Sequence, residues 1–205
     1  MFVVLEGIEG SGKTTLLGGL EEGLREDGHA VVVTREPGGS RIGEAIRELF
    51  LSHSVALEPL TEAFLVNAAR AQHVAEVIRP ALAAGRIVLC DRFVDSTLAY
   101  QGYGRGVDLH QLHAICEVAT GGLEPDLVLV MDMPVSVASA RLHGRLEMMD
   151  RIESENDGFH ARVRQGFLAL ALTPRHRVLD ATLPEKRLLD LALHEVRKQL
   201  SIEIS

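Results

Sequence analysis

The sequence predicts an α/β fold, a five-stranded parallel sheet with helices on both faces. Three observations carry that expectation. Five short β-rich runs recur at residues 2–5, 30–34, 87–90, 127–131 and 177–179, and helix-like segments separate them. The runs are apolar almost throughout, as strands buried on both faces are, and strands alternating with helices read as βαβ units. The first run leads into Gly7-Ile8-Glu9-Gly10-Ser11-Gly12-Lys13-Thr14, which matches G-x-x-x-x-G-K-[ST] in full. A strand before this pattern and a helix after it are the context it requires, so the expectation narrows to a P-loop NTPase fold.

The loop itself points to a nucleoside triphosphate. Its glycines let backbone N–H groups turn inward around phosphate oxygens, and the positive end of the following helix faces the same anion. Lys13 reaches the β- and γ-phosphates, and the Thr14 hydroxyl can ligate Mg²⁺. Residues 7–14, with the adjoining Thr15, form the candidate ATP site.

The later elements follow in order. Each strand ends in or just before a polar residue: Glu6, Arg35, Asp91, Asp132 and Asp180. Ligands of open parallel sheets bind beyond these carboxyl ends. Residues 60–84 read as mostly helical, with Pro80 ending or kinking the helix. Phe64, Ala68, Ala71, Ala75 and Ile78 fall on one stripe of it, expected to face the core. Asp108 and Gln111 form a capping box opening a helix that runs to Gly121-Gly122; Thr182 and Glu185 suggest a second box. Residues 144–158 are rich in charge and Met without a period, as a mobile flap is. They fall in a short lid at about 141–158. His110 and His113, three apart on a helix, read as surface residues.

At 205 residues the chain suits one domain, residues 1–205. The net charge of −8, with no Lys/Arg run, argues against a nucleic-acid polymer as partner. Its two cysteines, Cys90 and Cys116, lie far apart and suggest no disulfide framework or zinc site. No apolar stretch is long enough for a signal peptide or a membrane span, and the reading is cytoplasmic.

Among P-loop proteins a GTPase is disfavoured, because Asn-Lys-x-Asp and Asp-x-x-Gly are both missing. The third strand ends in Asp91-Arg92-Phe93. Asp91 can hold Mg²⁺ through water, and Arg92 can clamp an acceptor phosphate; the alternative is a strand-end ion pair. Asp132 is a rival carboxylate, ranked lower because Pro134 follows and a helix is expected to start there.

The chain resembles the bacterial thymidylate kinases, ATP:dTMP phosphotransferases, over nearly its whole length. The most specific matches are Thr34-Arg35-Glu36-Pro37-Gly38-Gly39 and the run from Asp91-Arg92-Phe93 through Ser96-Thr97 to Tyr100-Gln101-Gly102-Tyr103. Asp150-Arg151-Ile152-Glu153 and Pro125-Asp126-Leu127 add support. The resemblance implies ATP and dTMP as substrates, Mg²⁺ as cofactor, and a homodimer, with helices near Phe64 and Ile115 as its face. Glu9 is expected near the acceptor sugar and the metal, and Arg35 and Arg47 beside the acceptor phosphate with Arg92. Arg70 would contact the thymine, with Ser96, Thr97 and Gln101 near the base. Tyr100 would pack under the sugar and exclude a ribose 2′-OH. Glu36, Pro37 and Glu153 belong to the same acceptor set, and the bond before Pro37 is expected to be cis. Gly10 stands where some members carry an arginine, so a lid arginine, Arg145 or Arg151, is expected to stabilise the transferring charge. Arg141 is expected to stack on adenine. One departure concerns the base: Val66 stands where the family has a stacking Phe, four residues before Arg70. Two alternatives follow, a kinase of the same fold with another acceptor such as dUMP, and a nucleotide-binding protein without turnover.

Overall fold

The computed structural model describes residues 1–54, 56–144 and 149–203. Its centre is a five-stranded, wholly parallel sheet. The strands are β1 (Phe2–Glu6), β2 (Val31–Arg35), β3 (Ile87–Asp91), β4 (Leu127–Asp132) and β5 (His176–Asp180). Their spatial order is β2-β3-β1-β4-β5. The register pairs Leu5 with Asp91 and Glu6 with Val130, so the loop after β1 emerges between the ends of two neighbours. That is a topological switch point, where open α/β sheets bind ligands. The three inner strands are buried nearly throughout, as their unbroken apolar runs require. The edge strands β2 and β5 are partly exposed, which the apolar run of β2 did not signal.

Helices cover both faces. Helix α1 (Lys13–Glu26) packs on one face with a C-terminal helix at Glu185–Glu203. The other helices are α2 (Arg41–Leu51), α3 (Pro59–His73), α4 (Arg79–Ala83), α5 (Val94–Thr97), α6 (Leu109–Thr120), α7 (Val135–His143) and α8 (Asp157–Leu170), of which α4 packs on β3 and α8 on β4, the C-terminal helix being α9. The expected helical segment over 60–84 forms from three abutting pieces. A π-helical turn at Val74–Ile78 joins α3 to α4, and Pro80 sits in the first turn of α4, where its missing N–H costs nothing. A second π-helical stretch, Leu98–Gly104, continues α5.

Capping explains several boundaries. Asp108 accepts from the Gln111 N–H at 3.0 Å, and left-handed Gly121 closes α6, as the sequence indicates. Asn156 accepts from the Phe159 N–H at 2.9 Å and starts α8. The second expected box does not form. Thr182 donates from its N–H and its hydroxyl to Asp180, in a turn that precedes α9. Asp132 does not start α7 either. Its two carboxylate oxygens accept from the Arg164 guanidinium at 2.6 and 2.9 Å.

The stripe expected in the core of α3 faces outward instead. Phe64 is 54% exposed, and Ala68, Ala71 and Ala75 are exposed too; only Ile78 is buried. The helix buries its other side, Ala63, Val66, Asn67, Ala69, Arg70 and His73. Polar residues occupy that face because it borders a cleft, which reverses the usual rule for locating a core.

Candidate active site

Beyond the ends of β1 and β3, one cavity of about 280 Å³ gathers side chains from the first loop, α2, α3, the β3–α5 region and residues 150–153. The loop at residues 7–12 forms one wall. Gly10 has φ 76°, and a Cβ there would lie 2.6 Å from the Ala138 carbonyl oxygen. An arginine at this position would require α7 to move. Gly7, at φ 140°, is confined in the same way by the Met131 carbonyl. The N-terminal turn of α1 borders the cavity with Lys13, Thr14 and Thr15. Its unpaired N–H groups and its dipole make the place attractive to an anion. The Lys13 ammonium folds back onto the Gly7 and Ile8 carbonyls at 3.1 and 3.0 Å. Burial, followed by the nearby Arg92 charge, pushes its pKa down to about 8.

Arg92 holds the next part together. Its backbone is left-handed, φ 73°, unusual for a residue with a side chain. Its N–H donates to the Leu5 carbonyl at 2.9 Å, and its guanidinium donates to the Gly7 carbonyl at 2.8 Å and to Glu9 at 2.9 Å. The ion pair of this strand end is therefore Arg92–Glu9 rather than Arg92–Asp91. The other Glu9 oxygen accepts from the Tyr100 hydroxyl at 2.6 Å. Burial alone would raise the Glu9 pKa, but Arg92, Lys13 and the Tyr100 hydrogen bond outweigh it and hold the carboxyl below its usual range.

Behind this layer lies Glu6, which sequence reasoning noticed only as a strand end. It is fully buried and accepts from the N–H groups of Phe93 and Ser96 and from the Ser96 hydroxyl. It thereby caps α5 and fixes the turn that carries Arg92. Burial, and next the Asp95 charge, push its pKa up to about 7.

Arg70 is the most completely satisfied cation of the cavity wall, at 2% exposure. It donates to Glu36 at 2.7 Å, Asn67 at 2.8 Å, the Thr97 hydroxyl at 3.0 Å and the Phe93 carbonyl at 2.8 Å. Glu36 also accepts from His73, and the peptide bond to Pro37 is cis, as expected. Arg47 donates to the Pro37 carbonyl at 3.0 Å. Val66 lines the cavity with Ser96, Thr97, Gln101 and Glu153.

Some expected residues lie elsewhere. Arg35 is exposed beside the cavity and paired with Glu44 at 2.9 Å. Gly7, Ile8 and Ser11 support the loop from behind without lining the cavity. Arg141 approaches Gly12 and donates to the Ala181 carbonyl at 3.4 Å, on the side of the loop away from Arg70. Arg145 lies outside the described residues. Arg151 does not line the cavity: it donates to Glu62 and to the Phe50 carbonyl, and its guanidinium lies 5.1 Å from the Phe50 ring centroid. Glu62, only 1% exposed, also draws in Arg105 and Gln101 and so competes for Arg151. Five wall residues were missed as site residues: Phe50 and Leu51 at the end of α2, Phe93, Asp150 and Ile152. Phe93, Asp150 and Ile152 fall within motifs quoted above, whereas Phe50 and Leu51 had no local signal, since an apolar residue near a helix end usually belongs to the core.

The site has the donors for Mg²⁺. One Asp91 oxygen is buried with no partner among the described residues, and the Thr14 hydroxyl borders the same cavity. Among the described residues no group of three or more acidic, His or Cys side chains could form an all-protein cage. A cation that keeps waters and binds phosphates needs few protein oxygens, so the two available suit it.

A phosphate-binding loop and an arginine-lined wall that share one cavity define a P-loop phosphotransferase site. The family model described as "Thymidylate kinase" matches residues 5–191. A thymidylate kinase of Deinococcus radiodurans is 52% identical over 190 residues, 92% of this chain and 92% of the relative. One from Pelotomaculum thermopropionicum is 53% identical over 188 residues, covering 90% and 87%. One from Synechococcus sp. strain JA-2-3B'a(2-13) is 52% identical over 179 residues, covering 87% and 84%. The chain belongs to the thymidylate kinase family.

Proposed function

We propose that this chain transfers the γ-phosphoryl group of ATP to dTMP, giving ADP and dTDP. The observation that carries the proposal is the shared cavity, in which Lys13 and Thr14 meet Arg47, Arg70 and Arg92. An oxygen of the dTMP phosphate forms the new P–O bond as the bond from the γ-phosphorus to the bridging β,γ-oxygen breaks. Both substrates are anionic, so positioning and charge neutralisation dominate the barrier. The loop N–H groups and Lys13 take the β- and γ-phosphates, and Lys13 exchanges its own loop carbonyls for phosphate oxygens. Arg92 and Arg47, with Arg35 from the rim, hold the acceptor phosphate. Asp91 abstracts no proton, since that phosphate is already ionised. Thr14 and Asp91 would hold Mg²⁺, which supplies charge neutralisation between the two phosphates when bound.

Glu9 sits between Arg92 and Tyr100, where it positions the acceptor sugar. Tyr100 closes the floor against a 2′-hydroxyl. Arg70, Thr97 and Gln101 face the base. Phe50 supplies the ring that position 66 lacks, with Arg151 packed against it from outside the cavity. Arg141 flanks the adenine. Arg145 remains the lid arginine of this reading, and Arg151 serves that role only on leaving Glu62.

We also read the chain as one domain and as a homodimer. Ile42, Leu49, Leu60, Phe64 and Val118 expose apolar side chains on α2, α3 and α6, which a second copy of the chain would cover. A cytoplasmic setting suits two buried free thiols. No described helix is long and apolar enough to cross a membrane.

A coupled ADP-release assay with ATP, Mg²⁺ and dTMP, dUMP, UMP, dCMP or dGMP tests the reading, with Lys13→Ala as blank. Turnover on dTMP is the expected result. Preference for dUMP would assign Val66 to a different acceptor, and binding without turnover on any acceptor would remove the kinase reading.

A further inference from the structure

Glu62 lies on α3, four residues before Val66 and eight before Arg70, so the three share one helix face. Its side chain is 1% exposed and stands behind the cavity wall rather than in it. Three residues donate to it. Arg105 and Arg151 both pair with one carboxylate oxygen, and Arg105 Nε reaches the other at 3.3 Å. That second oxygen also accepts from Gln101 Nε2 at 3.0 Å. No sequence motif pointed to Glu62, yet it touches a residue that faces the acceptor base.

Gln101 is 2% exposed and lines the cavity. It sits in the π-helical stretch, where its backbone carbonyl accepts from the Val107 N–H at 2.9 Å. A side-chain amide has two orientations, which exchange its oxygen and its nitrogen. Glu62 removes the choice. A carboxylate paired with two guanidinium groups accepts and does not donate, so the Gln101 nitrogen lies toward it. Turned over, the amide would set its oxygen against a carboxylate oxygen. With Nε2 engaged, Oε1 is the atom left for the cavity, and among the described residues no donor is bonded to it. The cavity therefore offers an acceptor to the base at this point. Thymine and uracil carry a proton on N3 and can donate to it. Cytosine carries a lone pair on N3, which would face the lone pairs of Oε1.

We propose that Glu62 is a positioning residue for base choice: by fixing the Gln101 amide it selects acceptors whose base donates from N3 and rejects cytosine. Arg105 and Arg151 hold Glu62 in place from the far side. This inference rests on the kinase reading above and adds to it the residue that sets the hydrogen-bond polarity of the base pocket.

The test uses the full chain with dUMP and dCMP as acceptors, since both lack the 5-methyl group and they differ only at N3 and C4. In the parent, kcat/KM for dUMP should exceed that for dCMP by about 100-fold or more. Glu62→Gln gives the Gln101 amide a neighbour that donates as well as accepts, so either orientation becomes open. The dUMP-to-dCMP ratio should then fall by about tenfold or more, the effect of one mismatched buried polar group. Gln101→Leu should lower the ratio to a similar degree, and in that background Glu62→Gln should lower it no further. A carboxylate that only holds Arg105 and Arg151 predicts equal losses on both acceptors. An unchanged ratio in Glu62→Gln, or a uniform loss that follows thermal stability, would overturn the proposal. Equal use of dUMP and dCMP by the parent would overturn it without any variant. Absent turnover on every acceptor overturns only the kinase reading; the same ratios, taken from Kd by titration calorimetry, then decide this inference.

Discussion

Arg70→Met separates the two tasks of the most buried cation in the site. The substitution keeps most of the apolar stem and removes the guanidinium. It leaves the Glu36 carboxylate, 3% exposed, without the partner now 2.7 Å away, and strips donors from Asn67, Thr97 and the Phe93 carbonyl. Breaking one side of a buried pair costs roughly 3–5 kcal/mol, because the remaining charge is left uncompensated. For a domain of this size that corresponds to a fall in Tm of about 6–20 °C. Urea unfolding of the parent, Arg70→Met, Glu36→Gln and the double variant measures it. The double variant should lose less than the sum of the single losses by about 2 kcal/mol, since neither charge is then stranded. None of Arg70's hydrogen-bond partners belongs to the loop at 7–14, so the dTMP KM should rise while the ATP KM stays constant. A loss below about 1 kcal/mol, or strict additivity in the cycle, would refute the reasoning.

Other consequences are equally direct. Phe50→Ala should raise the dTMP KM by about tenfold or more, the value of one base-stacking contact, and adding Val66→Phe should recover part of it; steady-state kinetics on the four proteins decides, and an unchanged KM in Phe50→Ala removes the ring assignment. The Glu6 pKa is raised from 4.5 to about 7, so its contribution to stability is full below 4.5 and is lost as pH rises through about 7. Scanning calorimetry at pH 5 and pH 8 should therefore show a smaller drop for Glu6→Gln than for the parent, by up to about 3 kcal/mol. Lys13 has its pKa lowered to about 8 in the empty site, and phosphate raises it on binding. ATP binding should then take up a proton above pH 8 and weaken as pH increases; calorimetry in buffers of different ionisation enthalpy reads the uptake, which Lys13→Ala should abolish.

The fold was legible in the sequence because burial on both faces leaves inner strands no choice but unbroken apolar runs. All five strands fall within one residue of the expected runs at each end. The first loop was legible for a related reason: closely packed phosphate-binding backbone allows few residue types, and the Ala138 and Met131 carbonyls bear this out at Gly10 and Gly7. The Asp108 N-cap of α6 is local in sequence and formed as expected. The second box failed because Asp180, two residues upstream, competes for the same Thr182 donors.

Neighbouring residues were enough for the strand runs and the glycine-rich turn, and the motifs they form carried the family resemblance, from which the cis bond before Pro37 followed. The fate of long charged and aromatic side chains was settled by the folded interior instead. Arg151 turned to Glu62 rather than to the cavity, Phe64 turned outward, and Phe50 came to the cavity wall. Arg151 was drawn by Glu62 and Phe50, both far away in the chain, and the cost of leaving a buried charge or polar atom unpaired is a property of the assembled interior that no local pattern encodes.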